Sequence, residues 1–454
     1  MRPYRCPSSL LRFAADWQAA LDAHPEWTAD FLDRVSAAGV IYGDRPLCVT
    51  PQPMVVDAAI VRSYRRALRH LHVAVRTARE MIVADGLDGR PDSLAVRIGV
   101  DPRAIALAAV EPGFDSAAVL ARFDSFLVRS EDGQPTPAFV ELNAEPPAGM
   151  AYDAALARLF LEHPLTAAVG RRLRPFDPAR RAVVAILDTW RRRGGHGHRP
   201  VVAIVDWLDQ PTAPEFHLFR RFFEEEGATL LVLSPDALQY EGGRLVGDGQ
   251  AIDIVYRRLL VDDLLARPEP CSALLDAYRA GDVCVVNSFR SSLLHGKGLF
   301  ALLHAPELHA RLPAEVVATI HATVPWTGLL LDRPGTGAPA RLRARIRGQR
   351  HRWAIKPLAS HGGAGVVLGW EVDEATWRAA VDGATHHVVQ RRVPTWTARF
   401  PDARADHALG ERTVSLDPFV VRGELAGFLC RLTAGSLGNV RDGAGQVPVL
   451  LLDE

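Results

Sequence analysis

Lysine is the residue that this sequence most nearly lacks. Of its 53 basic residues only Lys297 and Lys356 are lysines, and all the others are arginines. A lysine is a compact charge on a flexible stem, and it can touch a single phosphate oxygen where the planar arginine fork needs a bidentate partner. The two positions that keep lysine are therefore candidate phosphate contacts.

Other absences exclude whole classes of protein. No apolar run reaches the roughly 18 residues of a membrane-spanning helix, and the N-terminal stretch carries Asp16, Asp22 and Glu26 instead of a signal pattern. Five scattered cysteines without a CxxC pair predict reduced thiols in a cytoplasmic protein. The histidines show no HExxH or His/Cys spacing, so a zinc site is not expected. Basic and acidic residues both number 53, so the charge gives no reason to expect a nucleic-acid or membrane partner.

The first part of the chain combines helices with a β-rich stretch. Apolar residues at spacings of three and four predict helices over 10–38 and 52–85. A β-rich stretch is expected next, up to about residue 145, followed by helices over 151–162 and 180–193. The glycine-rich segment 194–200 is typical of a linker.

Strands and helices alternate after this linker. Buried strands are expected at Val201–Val205, Thr229–Leu233, Ile252–Tyr256 and Val283–Val286. Helices are expected between them over 215–226 and 261–279. This alternation indicates a parallel sheet with helices on its faces. No GxGxxG follows the first strand, so the dinucleotide-binding fingerprint is missing.

A predicted hairpin between 122 and 145 carries the most specific set of polar residues. Its strands read Arg122-Phe123-Asp124 and Glu141-Leu142-Asn143, around a loop of turn formers. Since alternate residues of a strand point to the same face, Arg122 shares a face with Asp124, and Glu141 shares one with Asn143. If the register aligns these faces, three oxygen ligands and a guanidinium converge, which suits Mg²⁺ with ATP phosphates. A surface hairpin with solvated polar faces is the alternative.

The second candidate is the loop after Lys356. The lysine follows the strand-like Trp353–Ile355 and precedes the glycine-rich run 360–365. Glycines let a backbone approach a phosphate closely and aim its N–H groups at it. A plain glycine-rich turn is the alternative, and Lys297 taken alone is a surface lysine.

The run His387–Val393 looks like a strand that leaves the core. Free backbone groups and a polar side chain in such a segment suit the edge of adenine. Arg391 and Arg392 are expected to face solvent. For Arg258 and Arg431, both in strand contexts, pairing with surface carboxylates is favoured over binding an anionic substrate.

Together these motifs resemble the ATP-grasp superfamily, and specifically its circularly permuted members, such as the synthetase domain of glutathionylspermidine synthase. The resemblance covers roughly residues 110–454, because the acidic hairpin precedes both lysines here whereas ordinary members have the opposite order. It implies a mixed α/β fold (α/β with α+β elements), with a parallel-sheet domain before the grasp and a helical N-terminal region. The implied division is a helical region over 1–100, a metal-binding hairpin part over 101–195, a pre-grasp domain over 196–295 and a nucleotide-binding part over 296–454.

The resemblance also implies roles for individual residues. The implied Mg²⁺ ligands are Asp124, Glu141 and Asn143. The implied phosphate contacts are Arg122 for the transferring γ-phosphate and Lys297 and Lys356 for the α- and β-phosphates. Gly362 and Gly363 would belong to the loop over the phosphates, and Gln390 to Val393 to the adenine-contacting hinge.

The chain departs from the family in two places. His361 stands where the family's loop often has arginine, and residues 146–149, Pro-Pro-Ala-Gly, replace hydroxyl residues near the acceptor. Both differences argue against assuming a glutathione substrate.

The function implied by the resemblance is an ATP- and Mg²⁺-dependent ligase. It would join a small-molecule or peptide carboxylate to an amine through an acyl phosphate. A phosphotransferase without the amine step, a non-catalytic nucleotide-binding protein, and an α/β domain unrelated to ATP are the alternatives. The N-terminal helical region is open to two interpretations, a lid on the substrate side and a homodimer surface.

Overall fold

The computed structural model describes residues 1–116, 118–331, 337–359, 363–405, 408–435 and 445–453, with backbone only for 337–339. The fold is mixed α/β, as predicted. Three larger sheets dominate it: a central sheet, a parallel sheet and a small antiparallel sheet. No helix in these ranges is both long enough and apolar enough to cross a membrane.

The central sheet has seven strands, and its antiparallel core contains the predicted hairpin. The core strands are Leu120–Arg129, Pro135–Asn143, Leu409–Val421 and Glu424–Thr433. Shorter strands join at its margins: Arg2–Pro3, Trp396–Pro401 and Gly445–Val447. Phe419 pairs with Arg122, which places the hairpin beside the long strand that ends at Val421.

The register of the hairpin, which the sequence interpretation left open, aligns the two polar faces. Asp124 lies opposite Glu141, and Arg122 lies opposite Asn143. A β-bulge then inserts Val140, because Ser125 already pairs with Phe139. Bulges bend a strand and free one residue from the ladder.

The parallel sheet has the order Cys284–Val286, Ile254–Arg257, Val201–Val205, Thr229–Leu233. All its strand pairs are parallel, so this prediction is confirmed with small shifts of the strand ends. Each predicted helix divides in two, giving Pro214–Leu218, Arg220–Glu225, Val261–Ala266 and Ser272–Ala280. The second division coincides with Pro268 and Pro270, which cannot continue a helix interior. A small three-stranded sheet is appended: Gln239–Glu241, Arg244–Gly247 and Gln250–Ala251.

Buried polar contacts fix the parallel sheet to the hairpin. The Asn287 side chain accepts from the Val119 and Leu120 N–H groups, at 2.8 and 3.0 Å, and donates to the Leu120 and Ala144 carbonyls. Arg257 pairs with Glu145 at 3.0 Å, and both are buried. These contacts hold the end of the hairpin in a fixed place.

A second buried ion pair holds the chain just after the hairpin. Arg258 pairs with Glu215 at 3.1 Å, and Glu215 also accepts from the Gly149 and Ala151 N–H groups at 2.8 and 3.0 Å. The favoured pairing of Arg258 with a carboxylate is therefore confirmed, but the carboxylate is buried and not on the surface. Gly149 itself has φ 113°, a conformation that favours glycine.

The small antiparallel sheet has the order Thr327–Leu331, His386–Arg391, Trp353–Pro357, Val367–Leu368. Helices Gly337–Arg347 and Glu374–Gly383 accompany it. Apolar side chains of these elements form a separate core that includes Leu330, Ile346, Ile355, Trp377 and Val389. The strand with Lys356 therefore belongs to a layer that has its own hydrophobic core. This sheet and its two helices are called the lysine layer below.

The N-terminal region is largely helical, and its longest helix, Ala58–Asp85, packs on the central sheet. The helices are Ser8–Ala23, Phe31–Ala37, Ala58–Asp85, Leu94–Arg97 and Pro102–Ala108. The last two correct the predicted β-rich stretch, which begins only at Leu120. Proline at the first helical position and the Asp101 side chain, which accepts from the Arg103 N–H at 2.8 Å, favour a helix start there.

This region also contributes strands. Met54–Val56 pairs in parallel with Val449–Leu452, which also pairs with Leu173–Pro175. Ile41–Tyr42 and Arg45–Pro46 form a hairpin around Gly43. The remaining helices are Met150–Leu161, Pro164–Val169, Pro178–Arg192, Ser292–His295, Gly298–Leu302, Pro306–His309 and Ala314–Thr323. The four-part division of the chain stays a prediction.

Candidate active site

A cavity of about 360 Å³ lies where the central sheet, the small antiparallel sheet and the N-terminal hairpin meet. Every predicted site residue that the structure describes lines this cavity: Arg122, Asp124, Glu141, Asn143, Lys297, Lys356, Gly363, Gln390 and Val393. Gly362 lies outside the described residues. Residues separated by more than two hundred positions are thus brought together, as predicted, whereas their individual roles stay predictions.

The oxygens of Asp124 are surrounded by hydrogen-bond donors. Its Oδ1 accepts from Arg122 Nε at 3.0 Å and from Asn143 Nδ2 at 2.9 Å. Its Oδ2 pairs with Arg431 at 2.9 Å. Burial alone would raise the pKa of Asp124, but the Arg431 and Arg122 charges hold that pKa well below the usual range. Asp124 is therefore ionised at neutral pH.

Asp417 is a site residue that the sequence interpretation missed. The expected pairing of Arg431 with a surface carboxylate is corrected, because both of its carboxylate partners line the cavity. Arg431 pairs with the fully buried Asp417 at 2.8 Å as well as with Asp124, so it bridges two carboxylates. Asp417 also accepts from the Ser125 N–H at 2.7 Å and from the Ser415 hydroxyl at 2.9 Å. Burial raises the pKa of Asp417, although the Arg431 charge opposes the shift. The sequence did contain one signal for this arrangement: residues 415 and 417 are alternate residues of one strand, so their side chains lie on the same face.

Lys297 and Glu141 form an ion pair across the cavity. The ammonium lies 3.2 Å from Glu141 Oε1, and the Lys297 side chain is only 8% exposed. Lys297 comes just before the helix Gly298–Leu302, where the backbone is packed tightly. The interpretation of Lys297 as a surface lysine is therefore wrong.

Lys356 has a different environment, since its partners are neutral. Its ammonium donates to Gln390 Oε1 at 2.7 Å and to the Val140 carbonyl at 3.4 Å. Within the described ranges no carboxylate lies at ion-pairing distance from it. Burial lowers the pKa of Lys356, against the opposing effect of the Glu141 charge. A partly buried ammonium whose described partners are neutral is a favourable site for an anion.

The β-bulge in the hairpin explains how Val140 enters this site. The bulge removes Val140 from the strand ladder, and its carbonyl accepts from Lys356 and from Gln390 Nε2, the latter at 3.2 Å. Gln390 also donates to Thr327 Oγ1 at 3.1 Å, so both ends of its amide are engaged. Contact of Gln390 with adenine stays a prediction, while its contact with Lys356 is direct.

Apolar side chains also line the cavity. They are Val393, Trp370 and Leu368, and Leu368 belongs to the same sheet as Lys356 because it pairs with Ala354. The Arg392 guanidinium lies 4.6 Å from the centre of the Trp370 ring, a cation–π contact that the sequence interpretation did not foresee. Arg392 is exposed, as predicted, but it also borders the cavity. Gly363 has φ 79°, which suits the glycine found there.

The donor set of the hairpin fits a hard cation. Mg²⁺ prefers carboxylate, amide and phosphate oxygens, and Asp124, Glu141 and Asn143 offer two carboxylates and one amide on facing strand positions. In the described part of the chain no group of three or more His, Cys, Asp or Glu side chains is arranged to hold a metal ion. A metal at the hairpin would therefore depend on the Asn143 amide and on oxygens supplied by a ligand.

Comparison with known proteins adds information on the fold. No family model and no curated protein matches the sequence. A glutathione synthetase-like effector from Globodera pallida, in its apo form, is similar with a TM-score of 0.61 and 11% identity, over 94% of this chain and 96% of that chain. The ATP-grasp ligase PsnB, complexed with a phosphomimetic variant of its minimal precursor, Mg and ADP, gives a TM-score of only 0.30 at 17% identity, over 56% of this chain and 89% of that chain.

The first of these likenesses extends over nearly the whole of both chains, and at 11% identity it shows a shared fold alone. The second is too distant to carry an argument. The predicted mixed α/β class is confirmed, and the fold is shared with the glutathione synthetase-like effector.

Proposed function

We propose that this chain is an ATP-dependent carboxylate–amine ligase that uses Mg²⁺ and forms an amide through an acyl phosphate. We further propose that its fold is a circularly permuted form of ATP-grasp, since the acidic hairpin precedes both lysines. The observation that carries the proposal is the environment of Lys356. Among the described residues the partners of its partly buried ammonium are neutral, at 2.7 and 3.4 Å, and it shares one cavity with the acidic hairpin.

The phosphates of ATP are the anions that best fit this cavity. Lys297 is buried and Lys356 is partly buried, and each can neutralise a phosphate oxygen as a point charge. Arg122 lies beside Asp124 at the centre of the cavity and is the candidate for the γ-phosphate. The apolar surface of Val393, Leu368 and Trp370 is then available to the base.

Asp124, Glu141 and Asn143 would hold Mg²⁺. The ion, when bound, neutralises charge on the phosphate oxygens. Asp124 pairs with Arg122, and Glu141 pairs with Lys297, so each carboxylate already lies beside a positive group in the cavity. A triphosphate bound there would contact the same positive groups.

The chemistry requires alignment more than covalent participation by the protein. The substrate carboxylate attacks the γ-phosphorus, ADP leaves, and an amine then displaces phosphate from the acyl phosphate. The chain's part is to hold the reactants in line and to neutralise the developing charge with Lys297, Lys356 and Arg122.

Two measurements test this function. MgATP should raise the melting temperature, because a ligand that binds only the folded state stabilises it. ADP release should then require both a carboxylate and an amine. Release without an amine would favour the phosphotransferase, and binding without release under a broad panel of acids and amines would favour a non-catalytic nucleotide-binding protein.

Substitutions at the lysine layer and the hairpin make the test specific. Lys356→Arg keeps the charge but has the wrong shape for the space beside Gln390, so MgATP binding and ADP release should fall by at least roughly tenfold. Asn143→Ala should abolish ADP release in a folded protein. Glu131→Ala, in the exposed turn of the same hairpin, is the control and should behave like the wild type. Normal activity of the Asn143 variant would remove the metal assignment.

A further inference from the structure

The cavity continues past the charged centre to a surface that the proposed chemistry does not use. This surface, here called the far wall, consists of Tyr42, Leu47, Tyr152, Thr212 and Gln446.

Hydrogen bonds place the far wall on the side of the cavity away from Lys356. The Lys356 ammonium meets the hairpin at Val140. Ala148 follows Val140 along the chain, and its carbonyl accepts from Arg122 Nη1 at 3.2 Å. The helix that carries Tyr152 begins directly after Gly149. Arg122 and Asp124 therefore lie between the lysine layer and the far wall.

The far wall is held together by bonds between its own elements. The Tyr152 hydroxyl donates to the Ile41 carbonyl at 2.7 Å, next to Tyr42. The Gln446 N–H donates to the Leu47 carbonyl at 3.0 Å. At the hairpin tip the Gly43 N–H donates to the Pro211 carbonyl at 3.0 Å. The N-terminal hairpin is thus attached to the helix, strand and loop that form the rest of this surface.

The far wall carries no charged side chain. Its partly exposed members are Tyr42 and Thr212, while Leu47, Tyr152 and Gln446 border the cavity but are at most 2% exposed. The Arg45 guanidinium lies 5.6 Å from the Tyr42 ring, but it is not among the residues that line the cavity.

The acidic residues of the cavity are already paired. Asp124 and Asp417 pair with Arg431, and Glu141 pairs with Lys297. Among the described lining residues, a polyamine would meet no carboxylate that lacks a cationic partner. A neutral molecular body with apolar surface is the better match.

We propose that the far wall binds the uncharged, apolar or aromatic body of the carboxylate substrate, with Tyr42 as a specificity-determining residue. This inference rests on the proposed ligase function. The carboxylate end of such a substrate would reach the centre of the cavity beside Arg122. The N-terminal hairpin then acts as a substrate-side wall, the first of the two interpretations left open by the sequence.

Hydroxylamine can replace the unknown amine in the test, since it displaces phosphate from an acyl phosphate and leaves a hydroxamate. ADP and hydroxamate would be measured with MgATP and four acids that differ in the charge of the body. N-acetylphenylalanine and N-acetylleucine should react at least roughly tenfold faster than N-acetylglutamate and Nα-acetyllysine. A preference for either charged acid would overturn the inference. Failure of both neutral acids with a protein that binds MgATP would overturn it too.

Variants at the hairpin test the role of Tyr42 directly. Tyr42→Ala should raise KM for N-acetylphenylalanine roughly tenfold through lost apolar contact, with a smaller change in kcat. Tyr42→Phe should stay close to the wild type, and so should Tyr240→Ala, which lies on the appended three-stranded sheet. An unchanged KM in a folded Tyr42→Ala protein would refute the assignment.

The two proposals fail in different ways. If MgATP gives no thermal shift, or if Lys356→Arg has no effect, the ligase function itself is wrong. If both of those results are as expected and only the preference among acids or the Tyr42 effect is missing, the far-wall inference alone is wrong.

Discussion

Replacement of Gln390 by leucine would separate two roles for this side chain. Its Oε1 lies 2.7 Å from Lys356 Nζ, and only 4% of the residue is exposed. Leucine removes that acceptor and leaves the ammonium with the Val140 carbonyl at 3.4 Å. A hydrogen bond to a charged group contributes about 1.5–3 kcal/mol, which corresponds to about 10- to 150-fold in an equilibrium constant. We therefore expect the Kd for MgATP to rise by one to two orders of magnitude.

The assay is calorimetric titration with two ligands, MgATP and magnesium tripolyphosphate. If Gln390 positions Lys356, both ligands should bind more weakly to Gln390→Leu. If Gln390 contacts adenine instead, only MgATP should lose affinity, because tripolyphosphate has no base.

Gln134→Leu, in the exposed turn of the acidic hairpin, is the control and should match the wild type. Binding of both ligands to folded Gln390→Leu within roughly twofold of the wild type would refute the reasoning, since changes of that size are common at neutral surface sites.

Two further predictions concern stability. Arg258→Ala leaves the buried Glu215 charge without its partner and should lower the free energy of unfolding, measured by urea titration, by about 3–5 kcal/mol. Arg279 forms an exposed ion pair, so Arg279→Ala should change the free energy of unfolding little. Burial raises the pKa of Asp206 to about 6, above about 3.9 in the unfolded chain. The protonated Asp206 therefore stabilises the folded protein fully below pH 4, and this stabilisation is lost as the pH rises through 6. Asp206→Asn keeps the acceptor for the Trp207 N–H and should gain up to about 2–3 kcal/mol above pH 6 but nothing below pH 4; a gain independent of pH would contradict this.

Local patterns in the sequence were sufficient for much of the fold. The period of two in Arg122–Asp124 and Glu141–Asn143 predicted the hairpin and its shared polar face, because strand geometry is set by neighbouring residues. The alternation of strands and helices after residue 200 predicted the parallel sheet for the same reason. Short helices were harder, as the two between 94 and 108 show, since a few residues give little periodicity.

The partners across the cavity could not be read in the same way. Arg431 and Asp417 acquire their place from the pairing of long strands with the hairpin, and nothing in their immediate neighbours reports that pairing. The contribution of Tyr42 was also missed, because its segment is short and reaches the cavity through contacts with residues far along the chain. The acidic hairpin and the lysines were recognised from the sequence itself, and the resemblance to a known family supplied roles for them but did not point to these supporting residues.

The bond between the Gln446 N–H and the Leu47 carbonyl has a consequence for biosynthesis. Its two residues are roughly 400 positions apart, so at about 5–20 residues per second the earlier one waits about 20–80 s for the later one to leave the ribosome. The parallel pairing of Met54–Val56 with Val449–Leu452 imposes the same delay. The nascent protein must therefore keep Leu47 and Met54–Val56 from aggregating until residues 446–452 have left the ribosome.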